Sequence, residues 1–289
     1  MEPVGALAAR IDALASTPAG EPLPNDAERV VGALLDALER GAVRAAEKNA
    51  DGTWNAVPWV KRGILLGFRV GRVVPMPDEG PGASPDRPAA FFDKHTYPPR
   101  ALTLASGVRV VPGGTAIRRG AHVAAGVVCM PPAYINVGAY VGAGTMVDSH
   151  ALVGSCAQIG QRVHLSAAAQ IGGVLEPVNA APVVIEDDVI VGGNCGVYEG
   201  TVVRERAVLA AGVVLTRGTP VFDLVHERVY RAEGGRPLDI PAAAVVVPGA
   251  RTVRGAWAIA EGLSLQTPVI VKYRDEKTDL ATALEQWLR

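Results

Sequence analysis

Aromatic residues make up only 5% of the 289 positions, and there are only 3 cysteines. A chain this poor in large rings and rich in small turn formers, with 33 Gly and 22 Pro, does not read as a helical bundle; it calls for many tight bends. Cys129, Cys156 and Cys195 are odd in number and share no CxxC spacing, which argues against a disulfide framework or a zinc ribbon. A reducing cytoplasm is the simplest compartment for them. An excess of one charge is also missing: 28 basic residues face 29 acidic ones, leaving a net charge of −1. That balance excludes a basic nucleic-acid footprint and a polybasic membrane anchor. The N-terminus has acids at Glu2 and Asp12 and no basic stretch before an apolar run, so no signal peptide is expected. No charged residue occurs from Gly120 to Val147, long enough for a membrane span, but scattered glycines and Pro131-Pro132 break any helical period there. No membrane span is expected. At 49% hydrophobic, the chain is not disordered either.

What is present is a repeat. Stepping by six from Val111 meets Ile117, Val123, Cys129, Ile135, Val141, Val147, Val153, Ile159, Leu165 and Ile171, all apolar. The register slips by two across Gly172–Val184 and resumes at Ile185, Val191, Val197, Val203, Leu209 and Leu215. Two residues before many of these stands a small residue, such as Ala121, Ala133, Ala139, Thr145, Ala151, Ala157 or Ala207. Glycine follows directly or three later. A short strand and a tight turn every six residues build a narrow prism of nearly six coils, three hexapeptides to a coil. The aliphatic and the small residue fill its interior, and coils stack at about 4.8 Å.

The flanks read differently. Residues 25–40 predict a helix, with Asn25 as cap, Glu28 three residues on, Val30, Val31, Leu34, Leu35 and Leu38 on one face, and Gly41 at its end. A second helix is expected within Val57–Val70, and 71–90 reads as a linker. Val221–Tyr230 and Leu238–Val247 flank Glu233-Gly-Gly-Arg236 as a hairpin leaving the prism, and the last twelve residues pattern as a short helix with Leu280, Leu284, Trp287 and Leu288 inward. The expected division is a small helical or α+β N-terminal domain at 1–104, the β-helix at 105–220, and a C-terminal hairpin, last strand and short helix at 221–289.

Hexapeptides of this kind resemble the left-handed β-helix acyltransferases. The runs Gly144-Thr-Met-Val-Asp148, Val153-Gly-Ser-Cys-Ala-Gln-Ile-Gly160, Val163-His-Leu-Ser166 and Ile171-Gly-Gly-Val-Leu-Glu-Pro177 are similar to those of the tetrahydrodipicolinate N-succinyltransferases. Ala46-Glu-Lys48, Trp54, Trp59-Val-Lys61 and Phe92-Asp-Lys94 resemble that family's N-terminal domain, and Val108-Arg-Val-Val-Pro112 its entry to the coils. The resemblance implies a mainly β, left-handed parallel β-helix and transfer of a succinyl group from succinyl-CoA to the amino group of tetrahydrodipicolinate (2-amino-6-oxopimelate), in lysine and diaminopimelate biosynthesis. It implies a homotrimer with small-molecule substrates, succinyl-CoA as co-substrate and no permanently bound cofactor. The alternatives are the acetyl-CoA-dependent version of the same step and a non-catalytic hexapeptide scaffold.

Acyl transfer from an activated thioester needs no protein nucleophile, only a deprotonated amine, held carboxylates and donors for the thioester oxygen. Asp148 directly follows interior Val147, which places its carboxylate near a corner of the prism. The resemblance gives it the amino group to bind and to help deprotonate; a turn-capping aspartate is the plain alternative. Arg109 is the candidate for a substrate carboxylate, since a guanidinium fork binds such groups bidentately. Gly193, Asn194, Ala211 and Gly212, small residues on later coils, are candidates to admit the pantetheine arm, with Lys272 for a phosphate. One departure stands out. Where the family carries Arg-Ser-Glu after Ile-Glu-Asp, with that glutamate regarded as a catalytic partner, this chain has Asn194-Cys195-Gly196. Glu199 is a candidate substitute, and turn work fits it equally. His150 can shuttle a proton near pH 7. A three-histidine zinc site is not expected, because His122, His150 and His164 do not recur at one or two coil lengths.

Overall fold

The computed structural model describes residues 2–76 and 91–275. The expected terminal helix, with Leu280, Leu284, Trp287 and Leu288, lies outside the described residues, as does most of the 71–90 linker; Val73–Met76 at its start is a strand paired with Phe91–Lys94.

The centre of the molecule is a left-handed parallel β-helix of two-residue strands in three stacked sheets. Met146 pairs with Val128 below and His164 above, one coil of 18 residues in each direction. From Ile117 onward the stepped aliphatics lie inside: Ile135, Val141, Val147, Val153, Ile159, Leu165 and Ile171 are fully buried, with Ala157, Val163 and Ala169 beside them. The interior is one continuous core from Ile117 to Ile270.

The corners show two separate reasons for small residues. The third residue after most of the interior apolar positions turns left-handed, at Gly126, Gly138 and Gly144, but also at His150, Cys156, Arg162, Ala168, Asp188, Asn194 and Arg206. The glycines directly after the aliphatic are not left-handed. A methyl on Gly192 would stand 2.6 Å from the Ala211 nitrogen, so glycine there permits the close approach of the next coil.

At the open end, the register departs from the expected one. Arg109 pairs with Val128 and Val110 with Cys129, so Val110, not Val111, takes the interior-facing place. The extra residue is absorbed in the corner at Gly113 and Gly114, with φ of 144° and 92°. A one-residue slip exchanges the two faces of a strand. It therefore turns Arg109 from the interior slot to the outside.

Two insertions leave the prism. The pairing offset grows to 26 between Gln158 and Val184, which marks a loop at 173–182. It grows to 37 between Val202 and Asp239. The hairpin in this second insertion is Val221–Asp223 with Arg228–Tyr230, turning before Glu233 rather than around it. Leu238 and Ile240 are fully buried again, and Val246 sits in the coil above Leu209, so coils continue past 220. Apolar alternation at 238–247 fits a coil and a hairpin strand equally, and only stacking on Val202–Val203 decides between them. A long antiparallel pair, Ala244–Thr252 with Ser264–Tyr273, then extends from the last coil.

Three helices, α1 (Val4–Ala15), α2 (Ala27–Glu39) and α3 (Pro58–Val70), form the N-terminal unit. α1 was not anticipated, although Leu7, Ile11 and Leu14 are spaced for one buried face. Asn25 does not cap α2; Asp26 precedes its first residue and accepts hydrogen bonds from Arg10 and Arg29 instead. Gly63 and Gly67 stand where α3 meets its neighbours. A methyl on Gly63 would overlap Leu34, and one on Gly67 would overlap Tyr97, so both glycines let α3 pack close to its neighbours.

This unit is fastened along one face of the prism. His122 donates through Nδ1 to the Glu39 carbonyl at 2.8 Å and stacks on Tyr140, while Arg44 lies 3.8 Å over the Tyr140 ring and donates to Gln158. Higher up, buried Glu186 pairs with Lys48 at 2.8 Å and accepts from Trp54 Nε1 at 2.9 Å and Arg204 at 3.2 Å. Burial pushes that carboxyl up, but those hydrogen bonds and charges outweigh it and hold it below the ordinary range.

Candidate functional site

The corner that follows Val147 gathers most of the candidate residues. Its successive coils present Asp148-Ser149-His150, Ser166-Ala167-Ala168, Gly192-Gly193-Asn194 and Ala210-Ala211-Gly212. The stacking is direct: the Ala168 nitrogen donates to the Ser149 carbonyl at 2.8 Å, Asn194 to Ala167 at 3.0 Å, and Gly212 to Gly193 at 3.0 Å. His150, Ala168, Asn194 and Gly212 are all left-handed here. Asp148 and the four residues expected to admit a thin amide-bearing chain thus form one vertical line.

Asp148 is half-buried. Its Oδ1 accepts from the Ser149 nitrogen at 2.7 Å, which fixes the carboxylate against the turn, and Oδ2 accepts no hydrogen bond from a described residue. His150 is exposed and donates its backbone nitrogen to the Pro132 carbonyl at 2.5 Å. Arg109 is exposed on the same sheet as Met146, two coils lower, so it and Asp148 are separated by about 10 Å along the prism axis.

Lys272 does not join this line. It pairs with Val245 near the opposite end of the strand whose Pro268 faces Pro248 beside Gly212, four residues or about 13 Å away. Its ammonium lies 3.5 Å from Asp275. Glu199 accepts from the Arg217 backbone nitrogen at 2.8 Å and so performs turn work.

None of the cysteines offers a nucleophile. Burial pushes the Cys129 and Cys156 thiols up to about 12 and also raises Cys195. His122, His150 and His164 lie on one face, a corner and another face, and among the described residues no His, Cys, Asp and Glu cluster could hold a metal. No described helix is long and apolar enough to cross a membrane.

Sequence reasoning missed a cavity of about 1250 Å3 at the next corner. The 173–182 insertion, the 228–239 segment and strand Trp54–Ala56 wall it, and Tyr198 lies in its lining. No periodicity marks it, because both insertions that form it interrupt the repeat. In the sequence, the slip of the period across Gly172–Val184 signals that something stands there.

Comparison with known proteins agrees with this architecture in both the N-terminal unit and the coils. A family profile described as tetrahydrodipicolinate N-succinyltransferase N-terminal matches residues 11–70, and one described as hexapeptide repeat of succinyl-transferase matches 182–217. A protein of Ralstonia nicotianae named 2,3,4,5-tetrahydropyridine-2,6-dicarboxylate N-succinyltransferase is 44% identical over 266 residues, covering 92% of this chain and 90% of its own. Proteins of the same name from Polynucleobacter asymbioticus and Afipia carboxidovorans are 42% and 40% identical, over 93% and 88% of this chain and 92% and 87% of theirs. A Campylobacter jejuni crystal structure described as a 2,3,4,5-tetrahydropyridine-2-carboxylate N-succinyltransferase aligns with 86% of this chain and 63% of its own at 18% identity. Its TM-score of 0.48 is too slight a likeness to argue from.

Proposed function

We propose that this chain, which belongs to the tetrahydrodipicolinate N-succinyltransferase family, transfers the succinyl group of succinyl-CoA to the amino group of tetrahydrodipicolinate in its ring-opened form, 2-amino-6-oxopimelate. The observation that carries the reading is the single corner on which Asp148 stands beneath Gly193, Asn194, Ala211 and Gly212. Such a line supports a pantetheine arm laid along the coils, with its thioester delivered toward a carboxylate that can hold an amine.

The chemistry is short. The amine lone pair attacks the thioester carbonyl, the C–N bond forms, the C–S bond breaks, and coenzyme A leaves as the thiol after the amine proton is lost. Asp148 Oδ2 is placed to accept that proton. Arg109 supplies the fork for one carboxylate of the acceptor. Backbone groups of the corner meet the donor's amides, which explains why small residues suffice there. Lys272, standing apart, remains in the reading only as a group for the donor's far phosphates.

Assembly belongs to the same reading. The outward column Val128, Met146, His164, Ile190 and Val208 and the outward column Ala116, Tyr134, Leu152, Gln170 and Val214 carry no Asp, Glu, Lys or Arg. Faces this bare favour burial against sister subunits, and three prisms around one axis bury them with closed symmetry. We place the enzyme in the cytoplasm, as a soluble biosynthetic catalyst, with succinyl-CoA as co-substrate.

Thiol release from succinyl-CoA and from acetyl-CoA, with 2-aminopimelate as a stable acceptor, tests the reading. Release that depends on the acceptor and prefers succinyl-CoA supports it. A preference for acetyl-CoA would move the chain to the acetyl-transferring version, and no acceptor-dependent release from either would sink transfer altogether.

A further inference from the structure

On the outward face that carries Tyr134, Leu152, Gln170 and Val214, one coil presents no side chain: Gly196. The reason is Tyr198. A methyl on Gly196 would stand 2.5 Å from Tyr198 Cε2 and 2.9 Å from its hydroxyl, and a methyl on Gly172 would stand 2.8 Å from Cδ1 of the same ring. Two glycines on successive coils are therefore cleared for one ring, which lies back over the sheet instead of pointing off the corner.

Packing accounts for the ring but not for its hydroxyl. Tyr198 is half-buried, its side chain lines the 1250 Å3 cavity, and no described residue forms a hydrogen bond with its Oη. A phenylalanine would fill the same seat. The cavity also collects cations with free heads. Arg204 is consumed by Asp239 and Glu186, but Arg217, Arg231 and Arg236 form no ion pair with a described carboxylate. Glu176, Glu199 and Glu233 of the lining likewise form no ion pair with a described cation, and Glu199 is turned to the Arg217 backbone nitrogen. A phenol donor beside three unpaired guanidinium groups is chemistry for a carboxylate.

We propose that Tyr198 is a substrate-contacting residue whose hydroxyl donates a hydrogen bond to a carboxylate of a small ligand held in this cavity. The inference rests on the acyl-transfer reading for the identity of that ligand: both the amine acceptor and the succinyl end of the donor carry a carboxylate. Gly172 and Gly196 act through Tyr198 as positioning residues.

Tyr198→Phe keeps the ring in its seat and removes only the hydroxyl, so its melting temperature should match the wild type. Binding is read directly by calorimetry, titrating 2-aminopimelate and succinyl-CoA separately into each protein, and KM and kcat are read alongside. The expected result is an affinity weakened about tenfold or more for one ligand. Weakening confined to 2-aminopimelate assigns the acceptor's carboxylate; weakening confined to succinyl-CoA, with acetyl-CoA unaffected, assigns the donor's. Unchanged affinity for both would overturn the proposal, as would a wild type that binds neither. A wild type that binds but transfers nothing would fail the activity reading while leaving the Tyr198→Phe comparison decisive. Gly196→Ala, which puts a methyl where the ring lies, should reproduce the loss, and the double variant should be no worse than Gly196→Ala alone. Additive losses would show that the two residues do not act together, and would count against the proposal.

Discussion

At the scale of single residues, the two carboxylates that matter are held in opposite ways. Asp148 accepts one backbone hydrogen bond on Oδ1 and leaves Oδ2 without a partner among the described residues, as a group that must exchange a proton requires. Asp148→Asn should retain the fold and donor binding while turnover falls by ~2–4 orders of magnitude, the usual scale of a positioned base, measured by thiol release. Full turnover in the folded Asn variant would remove Asp148 from the mechanism. His150→Ala should change the rate by less than about tenfold, because its side chain stands out in solvent. Asp223 is the contrast: it is buried and saturated, accepting from Tyr273 at 2.7 Å, from His226 Nδ1 at 2.9 Å and from two backbone nitrogens. Burial alone would raise its carboxyl, but these hydrogen bonds outweigh it and bring the value down to about 2 from 3.8. A depressed folded value stabilises the native state above the unfolded one, so this increment is full above about pH 4 and is lost as the pH falls through 2. It is worth on the order of 2 kcal/mol. Denaturant titrations between pH 5 and 2 should show a decline that Asp223→Asn flattens, and an equally steep decline in the variant would refute this assignment.

At the scale of elements, the coil corner carries both of its requirements in sequence-neighbouring positions, and they respond oppositely to mutation. Ala168 is held at φ 59°, where an L side chain costs about 1 kcal/mol, so Ala168→Gly should raise the melting temperature by a few degrees at most. Gly192→Ala should lower stability by ~1–3 kcal/mol, because its methyl meets the Ala211 nitrogen in the coil above. Thermal scans of the pair decide whether the two kinds of small residue are distinct. Ala211→Leu, on the proposed donor line, should raise the KM for succinyl-CoA more than that for 2-aminopimelate; the reverse ranking would put the pantetheine arm elsewhere. Lys61 belongs to this scale too. It is fully buried in α3 and reaches the Ala180 carbonyl, tying the helix to the insertion that walls the cavity. Burial lowers its ammonium, and the short bond to the loop is what it has in compensation.

At the scale of the whole molecule, the prism is fastened to its N-terminal unit along one face and leaves outside two columns with no Asp, Glu, Lys or Arg. Light scattering at micromolar concentration should give a mass near three times 30.0 kDa, and a mass near 30 kDa would refute the trimer. Arg109 and Asp148 lie about two coils apart on one chain, so whether one substrate spans them within a subunit or across a joint has a direct test. Inactive Asp148→Asn and Arg109→Ala chains are mixed, unfolded and refolded together. Recovered activity shows a site shared between subunits, and none places both residues in one chain's site.

The period of six determined the prism by itself, since an aliphatic every sixth residue has no other way to become fully buried as Val147, Ile159 and Leu165 are. It also determined where coils are interrupted, because a missing beat at Gly172–Val184 leaves no room for a regular strand. It put Asp148 near a corner and Gly193, Asn194, Ala211 and Gly212 on later coils, and the stacked corner hydrogen bonds bring them onto one line. Tertiary structure decided what periodicity is blind to. Arg109 faces outward only because Gly113 and Gly114 absorb one extra residue, a slip that an apolar run of Val108, Val110 and Val111 conceals. Leu238–Val247 re-enters the coils because Val202–Val203 offers an edge to stack on. Tyr198 lies over Gly196 because two glycines, far apart in sequence, leave the same space empty on adjacent coils. Each of these depends on which residues meet across a coil, and that distance exists only in the folded chain.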